Sequence, residues 1–438
     1  MKHKLIVALS ILLCLSGCST KPDEKPVDKT EEHQEESIKT MEIDGMIEDI
    51  TSTRIIIKAP KETISMNREK ADISGDLIVG NKAHVTYKEQ DDDRIAIQIQ
   101  ISSETKSDID EMIFNMTLEE KVGQMFMVRC PTSEALEAID TYHMGGYMLF
   151  DETISPYTKD QFITNNEAFQ RESKISMLIG VDEEGGSVNR LSWYTNYRSQ
   201  PFASPQTLYQ EGGFNRIIED TKEKDALLKS LQINVNFAPV SDVSTNPSDF
   251  IYPRAFGKDA AQTSEYVKTV INTMKTDQMG SVLKHFPGYG NNQDTHTGSS
   301  LDKRSYDNFV KQDFLPFEAG IEAGAGSILV SHNIIMAVDE NNPASLSPKL
   351  HEILRQDLNF DGVIFTDDLF MDAIRKTRGL EEGAIEAVEA GNDMLIIRNY
   401  KVQIPAVLRA VKEGTIKEER INESVKRILL WKKQLGLI

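Results

Sequence analysis

The feature that most constrains the fold of this sequence is a series of eight apolar runs, each of strand length, within residues 122–398. They are the segments 122–128, 145–150, 177–182, 235–240, 281–286, 327–332, 363–368 and 393–398. The stretches between them carry apolar residues three to four positions apart, as amphipathic helices do. Eight strands that alternate with helices predict an α/β fold, a (β/α)8 TIM barrel, over residues 103–438. A doubly wound open sheet is the alternative, and the lack of a GxGxxG motif after the first run disfavours it.

The segment before the barrel region has a different pattern. Residues 38–102 contain short runs such as "RIIIKAP", the alternating "RIAIQIQIS" and a Gly80-Asn81 turn. Apolar residues that alternate with a period of two are typical of half-buried strands. We therefore expect a small all-β domain here. It contains no catalytic constellation, and we interpret it as a spacer or contact module.

The first residues have the features of an export signal. Lysines precede an apolar stretch, residues 5–15, that is shorter than a transmembrane helix requires. The next residues, "LSGC", resemble the cleavage site of bacterial lipoproteins, so we expect a signal peptide over residues 1–18 that leaves Cys18 lipidated. Residues 19–37 are charged and nearly free of apolar side chains, which predicts a disordered tether. The alternative is an ordinary secretory signal.

Charge and cysteine content narrow the class of protein. The net charge is −20, which argues against nucleic acid or an anionic membrane surface as the main partner, because both would repel the chain. The three cysteines are Cys14, Cys18 and Cys130, and the first two fall in the predicted leader. The mature protein therefore has no disulfide framework.

Ionisable side chains follow five of the predicted strands. They are Asp182 and Arg190 after the third run, Arg254 in the loop after the fourth, Lys284 and His285 in the fifth, His332 in the sixth, and Asp367 and Asp368 in the seventh. In a barrel of this type the active site lies where the carboxyl ends of the strands meet. We therefore expect these side chains to converge on one rim.

Each of these residues alone also has a structural explanation. Asp367 or Asp368 would cap the helix that follows, Lys284 would neutralise a carboxylate, His285 would fill the core, Arg190 and Arg254 would form ion pairs, and His296 would be a solvated loop residue. We interpret His332 as a packing residue. The convergence of the set, rather than any single member, predicts a functional site.

Seven motifs occur in a familiar order: "MTLEEKVGQMFMV", "VDEEGGSVNRL", "NFAPVSDV", "RAFGKD", "KHFPGYG", "DTH" and "GVIFTDDLFM". On these motifs, residues 108–438 resemble glycoside hydrolase family 3, and specifically its bacterial β-N-acetylglucosaminidases. The combination of "KHFPG", a D-x-H loop and "TDDL" is far more specific than any one segment.

The resemblance implies a role for each candidate residue. Asp367 is expected to be the nucleophile, and His296 the general acid/base with Asp294 as its partner. Contacts to the sugar are expected from Asp182, Arg190, Arg254, Lys284 and His285. This assignment is chemically sound, because retaining hydrolysis needs a carboxylate and a proton donor, and a histidine can act as acid and then as base near neutral pH.

The sequence departs from the family pattern near the expected site. Ser187 replaces the arginine of the usual "EGGR", and Tyr289 replaces the second histidine of "PGHG". The loop between Gly290 and Asp294 is one residue shorter, and residues 297–299 differ from the more familiar sequence. None of these changes removes an assigned catalytic residue. They concern the loop and the leaving-group side of the site.

The expected protein is an extracytoplasmic enzyme, lipid-anchored to the bacterial cell membrane. It would be a retaining β-N-acetylglucosaminidase that releases terminal N-acetylglucosamine from peptidoglycan fragments. Its partners are a carbohydrate substrate and, through the anchor, the membrane, and we expect neither a metal nor an organic cofactor. The alternatives are a phosphorylase or a β-glucosidase of the same family, or a wall-binding lipoprotein without catalysis.

Overall fold

The computed structural model describes residues 39–59, 62–75, 77–90, 93–101, 108–294 and 300–438. Contacts divide the chain into one compact unit that ends at residue 104 and a second that begins at residue 105. The predicted signal peptide (1–18), the tether (19–37) and Cys18 lie outside the described residues. The predicted boundary at residues 102 and 103 also lies outside them and stays a prediction.

The first unit is a small closed β structure. Its strands are β1 (Met41–Ile50), β2 (Arg54–Lys58), β3 (Thr63–Asn67), β4 (Asp72–Ser74), β5 (Lys82–Gln90) and β6 (Asp93–Ile101). The strand order is β3-β2-β1-β5-β6-β4, and a further pairing of β3 with β6 closes the sheet. In β2, Ile55 and Ile57 are fully buried while their neighbours are not, as alternation predicts. The prediction of a small all-β fold is confirmed.

The second unit alternates strands with helices. Its strands are β7 (Phe126–Arg129), β8 (Gly146–Met148), β9 (Leu178–Val181), β10 (Val235–Asn236), β11 (Gly280–Phe286), β12 (Leu301–Asp302), β13 (Ser327–Val330), β14 (Ile334–Ile335), β15 (Val363–Thr366) and β16 (Leu395–Ile397). Its helices are α1 (Asp108–Asn115), α2 (Leu118–Gln124), α3 (Ala135–Tyr142), α4 (Asp151–Ile154), α5 (Lys159–Glu172), α6 (Pro205–Ser230), α7 (Ala260–Thr276), α8 (Tyr306–Asn308), α9 (Phe314–Ala323), α10 (Pro348–Glu352), α11 (Asp372–Arg375), α12 (Leu380–Ala390), α13 (Tyr400–Lys412) and α14 (Glu418–Gln434). In the described part of the chain, none of the helices combines the length and apolar character needed to span a bilayer.

Eight of these strands form a parallel barrel. Their order is β15-β13-β11-β10-β9-β8-β7-β16. A bridge between Phe365 and Met394 brings the two ends of this sheet together, and the N–H of Thr366 donates to the carbonyl of Met394 at 3.0 Å. Each of the eight predicted runs overlaps one barrel strand, so the prediction of a (β/α)8 barrel is confirmed.

The predicted runs differ from the strands in extent, as the run 235–240 does from β10, and the first predicted run begins inside a helix. Residues 122–124 belong to α2, and the strand begins at Phe126. The helix has a capping box, in which Thr117 accepts from the N–H of Glu120 and Glu120 accepts from the N–H of Thr117. The capping box fixes the start of a helix, and this helix continues through residues 122–124. The apolar character of these residues, taken alone, indicates a strand.

Candidate active site

The described candidate residues lie at the carboxyl-end face of the barrel. Asp182 follows β9, Arg190 lies in the loop beyond it, Arg254 lies in the loop after β10, Lys284 and His285 belong to β11, Asp294 lies in the next loop, and Asp367 follows β15. His296 lies outside the described residues. The structure gives direct contacts among the five sugar-binding candidates, whereas Asp294 and Asp367 lie in loops of the same face that follow β11 and β15, two strands separated by β13.

Lys284 joins the third and fifth barrel strands. Its Nζ lies 2.7 Å from Oδ1 of Asp182 and 2.5 Å from Oε1 of Glu184, and only 2% of its side chain is exposed. The structural interpretation of Lys284, that it neutralises a carboxylate, is therefore correct as well. Asp182 keeps 17% of its side chain exposed, and its second oxygen, Oδ2, lies 3.8 Å from Nη2 of Arg190.

Arg254 forms the second ion pair of the site. Its Nε and Nη2 donate to the two carboxylate oxygens of Glu184 at 3.0 and 2.7 Å, the paired geometry that guanidinium and carboxylate prefer. Burial alone would raise the pKa of Glu184, but the charges of Arg254 and Lys284 hold it well below its ordinary value. Burial likewise opposes the charge of Arg254, and Glu184 nevertheless raises the pKa of this arginine. Both groups stay charged.

Hydrogen bonds determine the orientation of His285. Its Nδ1 lies 2.8 Å from Oδ2 of Asp242, and its Nε2 lies 3.1 Å from Nη2 of Arg254. Arginine can only donate, so Nε2 accepts and Nδ1 carries the proton toward Asp242. Asp242 also accepts from the backbone N–H of His285 and of Tyr289, at 3.1 and 2.7 Å. This buried carboxylate therefore positions both the ring and the start of the following loop.

The loop after β9 is organised by a second buried carboxylate. Glu183 is fully buried and accepts from the backbone N–H groups of Arg190 and Leu191, each at 2.8 Å, and from Ser192. Arg190 is thereby held above the rim, where its Nη2 lies 3.8 Å from Asp182 and its Nε is buried without a hydrogen-bond partner. The Arg190 side chain as a whole is 29% exposed, so the parts of it other than Nε are accessible to a ligand.

The turn that precedes Arg190 depends on glycine. Gly185 has φ +99°, and a Cβ at this position would lie 2.3 Å from the carbonyl oxygen of Ala203. Ser187, the departure from "EGGR", is exposed on this turn. The turn closes by backbone hydrogen bonds between Gly185 and Val188 that do not involve the Ser187 side chain.

Asp367 lies at the end of the seventh barrel strand and is half-buried. Its backbone N–H donates to the carbonyl of Val330 at 3.0 Å, and its Oδ1 accepts the N–H of Asp368 at 2.8 Å. The idea that Asp367 or Asp368 caps the next helix is wrong, because α11 begins only at Asp372, after Met371. Asp368 instead accepts from the N–H of Phe370 at 2.9 Å, which closes a tight turn.

His332 is a buried structural residue, as the sequence interpretation has it. Its Nδ1 bonds the hydroxyl of Ser345 at 2.7 Å, and its Nε2 bonds the carbonyl of Asp368 at 3.1 Å. It supports the loop that carries Asp367.

The loop that bears Asp294 is anchored beside His285. Tyr289 is buried, and its ring meets the ring of His285 edge-on, with centroids 5.2 Å apart. Arg304 donates to the carbonyl of Gly288 at 3.0 Å and to both Asp302 and Asp313. The guanidinium of Arg304 therefore binds Gly288, which precedes Asp294, and Asp302 and Asp313, which follow it.

Two residues that matter for this geometry were not assigned a role from the sequence. Glu184 joins Arg254 to Lys284, and Asp242 orients His285. Both lie within motifs that carried the family resemblance, and both follow barrel strands directly or within a few residues. Their position shortly after a predicted barrel strand is the sequence feature that could have identified them. Among the residues that the structure describes, no group of three or more His, Cys, Asp or Glu side chains is arranged to hold a metal ion.

Comparisons with known proteins identify the same family as the sequence motifs. Residues 117–430 match the model of the glycosyl hydrolase family 3 N terminal domain. A beta-hexosaminidase of Nitrosomonas eutropha is 34% identical over 229 residues, which make up 51% of this chain and 65% of that protein. The beta-hexosaminidase LpqI of Mycobacterium tuberculosis is 28% identical over 332 residues, or 72% of this chain and 82% of that protein.

Solved structures agree with these matches. A glycoside hydrolase family 3 beta-N-acetylglucosaminidase from Paenibacillus sp. str. FPU-7 aligns with a TM-score of 0.68 and 30% identity, over 74% of this chain and 63% of that one. The structure of M. tuberculosis LpqI aligns with a TM-score of 0.68 and 26% identity, over 74% of this chain and 96% of that one. The predicted resemblance and the prediction of a glycoside hydrolase are confirmed: this chain belongs to glycosyl hydrolase family 3.

Proposed function

We propose that the protein is a retaining β-N-acetylglucosaminidase that removes terminal N-acetylglucosamine from peptidoglycan fragments. The observation that carries this proposal is the network of Asp182, Arg254, Lys284 and His285, in which Glu184 joins the two cations, on the same face of the barrel as Asp367. Fixed donors and acceptors on one rim suit the hydroxyls of a single sugar ring. The relatives named as beta-hexosaminidases support the same substrate class.

In this proposal the reaction has two steps. Asp367 attacks the anomeric carbon while His296 gives a proton to the leaving oxygen, and the bond to the aglycone breaks as the bond to Asp367 forms. His296 then takes a proton from water, whose oxygen attacks the same carbon while the bond from that carbon to Asp367 breaks, which releases the sugar and the free carboxylate. Asp294 orients the histidine ring and stabilises its charged form, in the manner of a triad aspartate.

The test is a comparison of chromogenic β-N-acetylglucosaminide and β-glucoside, with and without phosphate, with identification of the sugar product. Free N-acetylglucosamine at an unchanged rate in phosphate is the expected result. Asp367→Ala should retain the fold, checked by its melting temperature, and lose turnover by about 10⁴-fold or more. A sugar phosphate would identify a phosphorylase, a preference for glucoside would change the substrate class, and near-normal turnover by the variant would exclude Asp367 as nucleophile.

We also propose that the protein is a lipoprotein of the outer face of the cell membrane. The support is the sequence alone: a short apolar stretch, the "LSGC" segment and a charged tether of residues 19–37. Lipidation at Cys18 would place the enzyme near the wall without a transmembrane helix. Cys18→Ala is expected to move the protein out of the membrane fraction, and an unchanged distribution would contradict the anchor.

A further inference from the structure

One largely buried arginine, Arg304, links the segment before Asp294 to the segment after it. Its Nη2 donates to the carbonyl of Gly288 at 3.0 Å and to Oδ2 of Asp302 at 2.7 Å, and its Nη1 donates to both oxygens of Asp313 at 2.8 and 2.9 Å. Gly288 precedes Asp294 in the chain, whereas Asp302 and Asp313 follow it. One planar guanidinium therefore fixes the two ends of the loop between β11 and β12 relative to each other.

A second contact ties this loop to the same carboxylate. Nδ2 of Asn292, two residues before Asp294, donates to Oδ2 of Asp302, the oxygen that also accepts from Arg304. Asp302 is 1% exposed, and it accepts in addition from the backbone N–H of Arg304 at 2.9 Å. It lies in β12, which pairs with β14, so the carboxylate belongs to a regular element. Asn292 therefore attaches the segment next to Asp294 to β12.

The backbone before Asp294 lies in close contact with this cluster of charges. A Cβ on Gly288 would lie 2.5 Å from Oδ1 of Asp313, and one on Gly290 would lie 2.3 Å from Nη1 of Arg304. Both glycines have positive φ, +114° and +52°. The guanidinium also lies 4.5 Å from the ring centre of Phe309. The loop and its neighbours thus enclose Arg304 closely on more than one side.

The two carboxylates keep Arg304 charged. Burial opposes this charge, but hydrogen bonds and charges from Asp302 and Asp313 raise the pKa of Arg304. Asp313 is 2% exposed, and burial raises its pKa to about 6, a rise that Arg304 opposes. Hydrogen bonds between ionised groups are about twice as strong as neutral ones. The cluster is therefore a firm attachment for the loop above pH 6.

This attachment bears on catalysis because a proton donor works only within hydrogen-bond distance of the oxygen that it protonates. In the proposed function the donor is His296, and Asp294 orients it. Asp294 lies in a loop and not in a strand or helix, so its position depends on what holds the loop. A displacement of about 1 Å at a catalytic group can lower a rate by roughly 10²-fold.

We propose that Arg304 is a positioning residue for proton donation to the leaving group, an inference that rests on the proposed function. It acts through Gly288 and Asp302 at the two ends of the loop, and Asn292 extends the attachment toward Asp294. Loss of Arg304 should therefore slow cleavage when the leaving oxygen needs a proton and spare cleavage when it does not. A role confined to stability of the barrel would affect both cases alike.

The experiment measures kcat/KM for two aryl β-N-acetylglucosaminides. The phenol of the 2,4-dinitrophenyl glycoside leaves without a proton, whereas the phenol of the phenyl glycoside needs one. Arg304→Gln is expected to lower kcat/KM by about tenfold or more on the phenyl glycoside and by less than about threefold on the dinitrophenyl glycoside, since general acid catalysis contributes roughly 10²–10⁴-fold. Arg304→Lys should give an intermediate loss, because it keeps the charge without the planar fork. His296→Ala supplies the reference for loss of the donor.

A milder variant is included because Arg304→Gln leaves two buried carboxylates without their cation. Asn292→Ala removes one hydrogen bond at a half-buried position and keeps the ion pairs of Arg304. It should lower kcat/KM on the phenyl glycoside by at least about threefold and leave the dinitrophenyl glycoside unchanged. Melting temperatures of all variants show which of them fold.

The matched control is Arg198→Gln. The side chain of Arg198 is 20% exposed, against 19% for Arg304, and its guanidinium pairs with Glu223 and lies 4.1 Å from the ring centre of Phe202. It belongs to the loop after β9 and not to the loop of Asp294. This variant should leave the ratio of the two kcat/KM values unchanged.

The outcomes separate this inference from the proposed function. An equal loss on both glycosides, or no loss on the phenyl glycoside, would overturn the role of Arg304. Where Arg304→Gln does not fold, Arg304→Lys and Asn292→Ala decide by the same comparison. An equal loss on both glycosides in His296→Ala would contradict the proton donor of the proposed function, and the role of Arg304 would fall with it.

Discussion

Glu184 holds two cations in the positions that a sugar would meet, although the residue itself is almost fully buried. Arg254 and Lys284 both contact its carboxylate, and 3% of its side chain is exposed. Because the anion lies beneath the rim, its effect on substrate passes through the two cations. Glu184 is therefore a positioning residue, and its loss should affect binding of the sugar and stability of the barrel together.

Glu184→Gln keeps the shape of the side chain and removes its charge. We expect a loss of stability of about 3–5 kcal/mol, because Arg254 loses its charged partner and Lys284 keeps only Asp182, and a fall in kcat/KM of about tenfold or more. Thermal unfolding and kinetics on the aryl glycoside measure the two effects. Glu223→Gln is the control, since Glu223 pairs with Arg198 at the surface and its side chain is 52% exposed. A similar change in both variants would contradict the role of Glu184.

The three acidic residues after β9 show where sequence reasoning reaches its limit. Asp182, Glu183 and Glu184 are consecutive, and all three were visible at the predicted strand end. The structure turns them to different partners: Asp182 to the rim, Glu183 to backbone N–H groups and Glu184 to the two cations. Side-chain direction after a strand depends on the turn that follows. Residue types alone do not specify it.

At the scale of elements, the barrel was predictable because each strand is a short buried run between amphipathic helices. The side-chain contacts between these elements were harder to predict from the sequence. Asp242 lies 43 positions before His285, and only the neighbouring placement of β10 and β11 brings the two together. The same holds for Arg129 and Arg398, which follow paired residues of β7 and β16 and come together only because these two strands are neighbours in the barrel.

A pair of carboxyl groups joins α6 to the residue that ends α7: Asp225 belongs to α6, and Asp277 follows the last residue of α7. Asp225 of α6 is 1% exposed, and its oxygens, like Oδ2 of Asp277, are buried without a donor. Two carboxyl groups bond to each other when one of them holds a proton. Burial first, and then the charge of Asp277, raise the pKa of Asp225 to about 8, while Lys224 and Lys229 oppose the rise.

A raised carboxyl pKa makes the folded protein less stable as pH rises. Between the ordinary value of 3.8 and about 8, the folded state keeps a proton that the unfolded chain has released. The contribution of Asp225 to unfolding free energy should therefore fall by up to about 1.4 kcal/mol for each pH unit in this window. Asp225→Asn, which cannot ionise, should lack this slope when denaturant unfolding is compared at pH 5, 6 and 7.

Asp307→Asn provides the matched control for this titration. Asp307 pairs with Lys311 on the surface, and its side chain is 74% exposed. Its removal should leave the pH slope of the wild-type protein in place. Parallel pH curves for wild type and Asp225→Asn would show that the two carboxyl groups share no proton.

At the scale of the whole molecule, each compact unit has an apolar core of its own. Residues such as Ile57 and Ile64 form the core of the first unit, and residues such as Val128 and Ile364 belong to the core of the second. The chemistry proposed for the protein resides in the second unit alone. Separate cores predict that the two units unfold in separate steps, because a domain with its own core can fold alone and multi-domain proteins commonly depart from two-state unfolding.

Two matched substitutions test this independence. Ile57→Ala and Ile364→Ala each remove the same atoms from a fully buried position, one in each unit. Each should cost about 2–5 kcal/mol and lower only one of two calorimetric transitions. Ile57→Ala should also leave kcat/KM on the aryl glycoside within about twofold of wild type, since a stability change in a separate unit does not reach the rim residues. A single transition that moves with either variant would mean that the units are energetically coupled, and the first unit would then contribute to the stability of the barrel.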